Sequence, residues 1–292
     1  MHFPAYKKRL MKKIHLYFAV FFAISCFSQS QNYYQIGNGQ TVIIDEWNEC
    51  RSVVNSTGAA IFVPTKTSAE WTSFRNNSPS GITLNACTFS CGSVLVDSRD
   101  GQSYNTVQIG NQCWMAENLN YGEMIMETSL PSNNNIAEKY CFDNSLSNCN
   151  QYGGLYTSQE VVQYTQSQGG QGLCPQGWHV PTEAEWCTMM TSLDQSVTCN
   201  VGSSGLLIYD LLSVGGSSGF EAVIAGRRLC TYGGKTQDFG DWGGFHSSTY
   251  YGNNSSGDPM NYDFVFSASS EVIYKGFSSG NCYGLSVRCV KD

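Results

Sequence analysis

"CPQGWHVPTEAEWCTMM" (174–190) gathers two cysteines, a histidine and two glutamates. Whether it is a metal site, a catalytic site or a helix start decides how the rest of the chain is read. Glu185 stands three positions after Thr182. At that spacing a hydroxyl and a carboxylate each take up a free backbone N–H of a first helical turn, forming a capping box. The spacing predicts a helix from about Glu183 to Leu193, with Trp186 on its buried side beside Met189, Met190 and Leu193. A metal reading needs Cys174, His179 and Cys187 to converge, and their spacing fits no zinc pattern. Disulfides are the better use of both cysteines in an exported chain, and His179 is expected to be a hydrogen-bonded histidine at the edge of the core. No metal and no cofactor are expected.

The expectation of export comes from residues 1–28: a basic stretch "KKRLMKK" (7–13), an apolar run from Ile14 to Ile24, then small and polar residues. That run is too short to span a bilayer, and no later segment is long enough. Two endings of the signal compete. "AISC" (23–26) reads as a lipobox, making Cys26 a lipid-bearing first residue; "CFS" (26–28) suits cleavage before Gln29. The protein is therefore expected at the outer membrane or cell surface if lipidated, and otherwise in the periplasm or secreted.

Five basic residues leave with the signal, so 11 basic residues face 23 acidic ones and the mature net charge is −12. Nucleic acid is excluded as a partner, because no basic patch is available to neutralise phosphates. Thirteen cysteines become twelve without Cys26, an even number that favours a disulfide framework in an oxidising compartment. Spacing offers Cys141/Cys149 and Cys282/Cys289 as small loops and Cys50/Cys87 as a staple of the N-terminal region.

Two domains are expected. Residues 29–91 form a small module with strand-like "TVIID" (41–45) and "AAIFV" (59–63), then a capped helix over 68–76 where Thr67 and Glu70 repeat the capping spacing. Residues 92–292 form the main domain. It opens as a meander over "VLVDSRDGQSYNTVQIGNQCWMAENL" (94–119), with turns at Asp100-Gly101 and Gly110-Asn111. Further on, "SQEVVQYTQS" (158–167) reads as a helix.

Catalysis has little material. Only His179 and His246 remain after the signal, neither beside a nucleophile motif. No pair of carboxylates stands out as a glycosidase pair, and the glycine-rich "SVGGSSGF" (213–220) and "GDWGGF" (240–245) lack the lysine of a phosphate loop.

Five blocks occur in order: "CWMAENLNYG" (113–122), "YGGLYTSQEV" (152–161), "GLCPQGWHVPTEAEW" (172–186), "GFEAVIAGRR" (219–228) and "GLSVRCVKD" (284–292). Together they resemble the Fibrobacter succinogenes major paralogous domain over about 92–292. That family is similar to a branch of the C-type lectin fold and, at a distance, to the formylglycine-generating enzymes. The resemblance implies an α+β, C-type lectin-like domain: small antiparallel sheets, two main helices, long loops on one face, and disulfides. It transfers no activity, since the reactive cysteine pair of those enzymes and the calcium signatures of lectins have no counterpart here; "GDPMN" (257–261) is a faint echo. Where the family tends to have a tryptophan before "SST", this chain has His246, which reads as an exposed, tolerant loop position.

Between His246 and Ser286, 24 of 41 residues are Ser, Tyr, Gly or Asn. Paratopes use this mixture because tyrosine gives broad contact at low entropy cost while small polar residues adapt their hydrogen bonds; an ordinary exposed loop has the same composition. The stretch and its closing block also resemble C-type lectin-fold proteins whose C-terminal loops are varied by a retroelement acting on adenines. The contact residues expected are His246, Tyr250, Tyr251, Asn253, Asn254, Tyr262, Tyr274, Asn281 and Tyr283. The reading is an exported, envelope-associated protein that binds a protein or glycan and is not an enzyme. The alternatives are a formylglycine-generating-type or carbohydrate-active enzyme and a structural surface or adhesin subunit.

Overall fold

The computed structural model describes residues 42–46, 49–54, 62–63, 83–199, 202–204, 206–230, 233–279 and 283–292. The chain divides into two compact units, Met1–Ser90 and Cys91–Asp292. The expected signal with Cys26 and the helix over 68–76 lie outside the described residues. In the first unit β1 (Val42–Glu46), β2 (Glu49–Val54), β3 (Phe62–Val63) and β4 (Thr83–Thr88) form one sheet in the order β3-β1-β2-β4. The register sets Cys50 opposite Cys87.

The second unit is α+β. Its strands run β5 (Leu95–Val96), β6 (Ser103–Tyr104), β7 (Thr106–Ile109), β8 (Gln112–Met115), β9 (Glu123–Met124), β10 (Glu138–Lys139), β11 (Trp178–His179), β12 (Gly202–Ser204), β13 (Arg227–Leu229), β14 (Lys235–Gln237), β15 (Trp242–Asn253), β16 (Pro259–Ser267), β17 (Val272–Ser279) and β18 (Val290–Lys291). Four α-helices occur among the described residues: α1 (Leu146–Tyr152), α2 (Ser158–Val161), α3 (Glu183–Leu193) and α4 (Leu206–Leu212). Two antiparallel four-stranded sheets dominate, β11-β18-β8-β7 and β12-β17-β16-β15. The expected meander is split between the first of these sheets, which holds β7 and β8, and a separate β5–β6 hairpin. The chain breaks at Asn105, whose N–H turns to the Glu117 carboxylate while its carbonyl accepts from Ala116.

Helix α3 begins and ends where the capping box predicts. Thr182 accepts from the Glu185 N–H and Glu185 accepts from the Thr182 N–H. Trp186, Met189 and Met190 are buried. The Trp186 ring meets Trp114, Phe220, Phe245 and Phe264 at centroid distances of 5.0 to 5.7 Å. A cap contributes about 1 kcal/mol, whereas removing a large aromatic side chain from a core costs about 3–5 kcal/mol. The cap therefore fixes where the helix starts, and Trp186 holds it in place.

Helix α2 is shorter than the expected 158–167. It ends after one turn because the Val161 carbonyl accepts from Leu173 instead of from the next turn. Gln163 and Tyr164 then take left-handed backbone angles, φ 50° and 56°. The same crossing requires Gly172, at φ 52°, where an added Cβ would stand 2.2 Å from the Val161 carbonyl oxygen.

Disulfides join Cys91–Cys113, Cys141–Cys149, Cys174–Cys289 and Cys187–Cys199. The expected Cys282/Cys289 loop is thereby corrected: β18 pairs with both β8 and β11, which carries Cys289 away to Cys174. Cys174 and Cys187 serve the frame and are not metal ligands. His179 joins Asp292 through Nδ1 (2.6 Å) and the cap residue Glu185 through Nε2 (2.8 Å).

Arg288, fully buried, binds the closing block to the rest. Its Nε donates to Asn118 Oδ1 (2.7 Å), Nη1 to the carbonyls of Met115 (3.1 Å) and Phe220 (2.6 Å), and Nη2 to that of Glu221 (2.8 Å). Burial pushes its pKa down to about 9. Asn118 extends the network to the Tyr152 and Val223 carbonyls and the Ser286 hydroxyl.

The His179 clip sets a pH window. Burial opposes the imidazolium, but Glu185 and Asp292 hold its pKa above the ordinary 6.5. Its contribution to stability is complete below that value and is lost as pH rises through the raised one. Burial likewise opposes the Glu185 carboxylate, yet His179 and Thr182 hold it below 4.5; its contribution is complete above 4.5 and is lost as pH falls through the lowered value. The clip's contribution to the unfolding midpoint is expected to be flat between these limits and to fall on either side. In His179→Ala the decline just above pH 6.5 should flatten, and an unchanged alkaline limb would refute the clip.

Candidate functional site

Six of the nine expected contact residues, His246, Tyr250, Tyr251, Asn253, Tyr262 and Tyr274, stand on strands, which corrects the reading of 246–286 as long loops. In "NYDFVFS" (261–267), Phe264 and Phe266 face the aromatic core while Asn261, Asp263 and Val265 face the opposite way. Period-two alternation of this kind is a strand signal, here masked by the excess of Tyr, Ser and Asn. Beyond the core, the distal ends of β15, β16 and β17 project past the N-terminus of α3.

On the core side of this distal end, Tyr251 stacks on Phe277 (centroids 4.1 Å apart, planes 4° apart) and meets Tyr262 edge-on at 5.2 Å. Tyr251 shares the alternation of Phe245, and the extra residues of β15 relative to β16, with register shifts between His246 and Tyr250 and again between Tyr250 and Gly252, set it level with Asn261 and Met260. Lys275 lies 4.7 Å over the Tyr262 ring and forms an ion pair with Glu183, the first residue of α3. Tyr250, Tyr251, Tyr274 and Phe277 keep between 38% and 47% of their surface exposed. Phe277, Lys275 and Glu183 were not among the expected contact residues. The spacing of Phe277, four residues after the core residue Ile273, could have placed it on the same face.

On the other side, a cleft of about 140 Å³ lies between the segment 158–166 and the strands β15 and β16. Tyr164, Tyr250 and Asn261 line it together with Ser158, Gln159 and Gln166. The Tyr250 hydroxyl donates to Asn253 Oδ1 (2.8 Å). Asn254 builds the turn instead of facing a ligand: its Oδ1 accepts from the Ser256 and Asp258 N–H groups and its Nδ2 donates to Asp258. Tyr274 alternates with Ile273 and so projects from the side away from the core, Tyr283 is half-buried beside the frame, and Asn281 lies outside the described residues.

His246 is the clearest correction. It is fully buried in mid-strand, not exposed at a loop start, and its Nε2–H donates to the Tyr156 carbonyl (2.7 Å). Burial pushes its pKa down to about 4, so it is neutral at physiological pH. Opposite it in the register stands Asp263, whose carboxyl burial pushes up to about 7 against a lowering by Ser278. Neither group is aimed at an accessible substrate position. All nine cysteines with described side chains are disulfide-bonded, so none of them offers a reactive thiol. No helix among the described residues is long and apolar enough to cross a membrane.

Comparison with known proteins agrees with the five ordered blocks. The Fibrobacter succinogenes major domain matches residues 107–291, well over half the chain. No curated protein and no solved structure matches. From the aromatic core of β8, α3 and β16 to the buried closing block, the matched region is the second unit itself, and the chain belongs to the Fibrobacter succinogenes major domain family.

Proposed function

We propose that this protein is exported, is held at the bacterial envelope, and binds a protein partner through the distal end of β15–β17 without catalysing a reaction. The C-type lectin-like character of the domain and the export signal with its two endings, including lipidation at Cys26, belong to this proposal. The observation that carries it is the cluster of the exposed Tyr251 and Phe277 with the half-buried Tyr262, beside the Lys275–Glu183 pair. Rigid aromatics surrounded by a polar rim are the arrangement of a protein-binding hot spot. The strands beneath are fixed by the core, so little order remains to be gained on binding. The absence of a thiol among the described cysteine side chains argues against an oxidase of the formylglycine-generating type.

A retroelement-varied receptor is the more specific version of this reading. It is favoured by one contrast: Leu285 to Val290 are buried in the frame, whereas Tyr250, Tyr251, Asn253 and Tyr274 stand exposed just before them. Deep sequencing of the gene's 3′ end across one source population should find changes at adenine-containing codons of these positions, with His246 and "SVRCVKD" constant. A uniform 3′ end, or changes at His246 as frequent as at Tyr250, would exclude it.

Binding itself is tested on arrays of exterior proteins and glycans probed with the full chain. The strongest protein ligand is then titrated against a Tyr251→Ala/Phe277→Ala variant. Truncation of a hot-spot aromatic costs about 2 kcal/mol or more, so a tenfold or greater loss of affinity is expected with the unfolding midpoint little changed. Undiminished affinity would contradict the proposal.

A further inference from the structure

We infer that the cleft between 158–166 and β15–β16 is a site for one neutral sugar residue, distinct from the aromatic surface on the other side of the sheet. Gln159, Tyr164, Gln166, Ser248, Tyr250 and Asn261 are among the residues that line it, and none of the lining residues is charged. A charged ligand would be desolvated there without a counter-charge, which is costly. A wholly apolar ligand would strip water from three amides and several hydroxyls and return no hydrogen bonds. A sugar ring avoids both penalties. Its hydroxyls donate and accept, as amide side chains do, and its C–H faces lie against tyrosine rings.

The size points the same way. About 140 Å³ is well below the roughly 300–1,000 Å³ of sites that enclose a drug-sized ligand, so the cleft takes a single ring and not a chain. The sides are held in place from outside the cleft. Ser248 donates to the Val180 carbonyl and accepts from the Gly169 N–H, and Asn261 Nδ2 donates to the Ser247 carbonyl, which leaves its Oδ1 for a ligand. Tyr164 owes its place to the two consecutive left-handed residues at 163 and 164. Each costs of order 1–2 kcal/mol outside glycine, and strain of this kind persists where the surrounding structure holds a functional group in position. Its hydroxyl lies against the buried Glu160 carboxyl in a geometry short of a full hydrogen bond.

The test is amide-resolved NMR of the full chain titrated with glucose, galactose, mannose, xylose and N-acetylglucosamine, with glucuronic acid and glucosamine as charged counterparts. At least one neutral sugar should shift amides confined to 158–166 and 248–261, with a dissociation constant of roughly millimolar order. Gln159→Ala and Tyr250→Ala should each weaken it several-fold or more, with amide positions elsewhere unchanged. No shift with any neutral sugar, equal or tighter binding of a charged one, or undiminished binding by Tyr250→Ala would overturn the assignment. The aromatic surface is judged separately: sugar binding without a protein ligand would leave the cleft standing alone, and a protein ligand sensitive to Tyr251 and Phe277 without sugar binding would do the reverse.

Discussion

A single buried guanidinium organises this domain. Among the described residues Arg288 has no carboxylate within hydrogen-bonding distance; it is held by three backbone carbonyls and the Asn118 amide and lies over the Phe220 and Phe245 rings. Burying a lone charge is tolerable only if it is well hydrogen-bonded, and four of the five guanidinium N–H donors are met here. The segments that meet these donors come from distant parts of the chain. Met115 and Asn118 belong to one family block, Phe220 and Glu221 to another, and Asn118 passes the connection on to Tyr152 in a third. The block containing α3 is tied to the closing block by Cys174–Cys289 and to the shared core by Trp186. The five ordered blocks are therefore the contact surfaces of one polar and aromatic knot.

That division explains how the same strands serve the frame and the surface. Near the core, β15–β17 supply Phe245, Phe264, Phe266 and Ile273. A few residues further along, the same alternation supplies Tyr251, Tyr262 and Phe277 beside the Lys275–Glu183 pair. The buried pair His246 and Asp263 marks the changeover. Burial pushes the imidazole pKa down and the carboxyl pKa up, so it disfavours the charged form of both side chains.

Much of this was legible in the sequence, for reasons that differ from residue to residue. The α3 boundaries followed from Thr182 and Glu185 because a capping box is local chemistry, and Trp186 followed from helical spacing. The role of His179 followed from its neighbours. His246 was misread because its burial depends on the Tyr156 carbonyl, 90 positions away in the chain, and no local pattern reports such a partner. Cys289 was paired with the wrong cysteine because proximity in sequence was taken for proximity in space, whereas β18 is carried to β11 by sheet pairing. The strands β15–β17 were read as loops because composition outweighed alternation, although each strand's core-facing residues are spaced by two. Phe277 shows the same effect, an apolar residue overlooked among serines and tyrosines.

If Arg288 is the knot, removing its donors must loosen the whole domain. Replacing it with methionine keeps an unbranched apolar stem but leaves the Met115, Phe220 and Glu221 carbonyls and the Asn118 amide oxygen without their partner, at about 1–3 kcal/mol for each group left unsatisfied. Urea unfolding of Arg288→Met beside the parent chain is the most direct measurement. A loss of more than about 3 kcal/mol, or no cooperative transition at all, is the predicted result. A variant within about 1 kcal/mol of the parent, near the net worth of a single ordinary hydrogen bond, would contradict the account and move the organising role to the aromatic core alone.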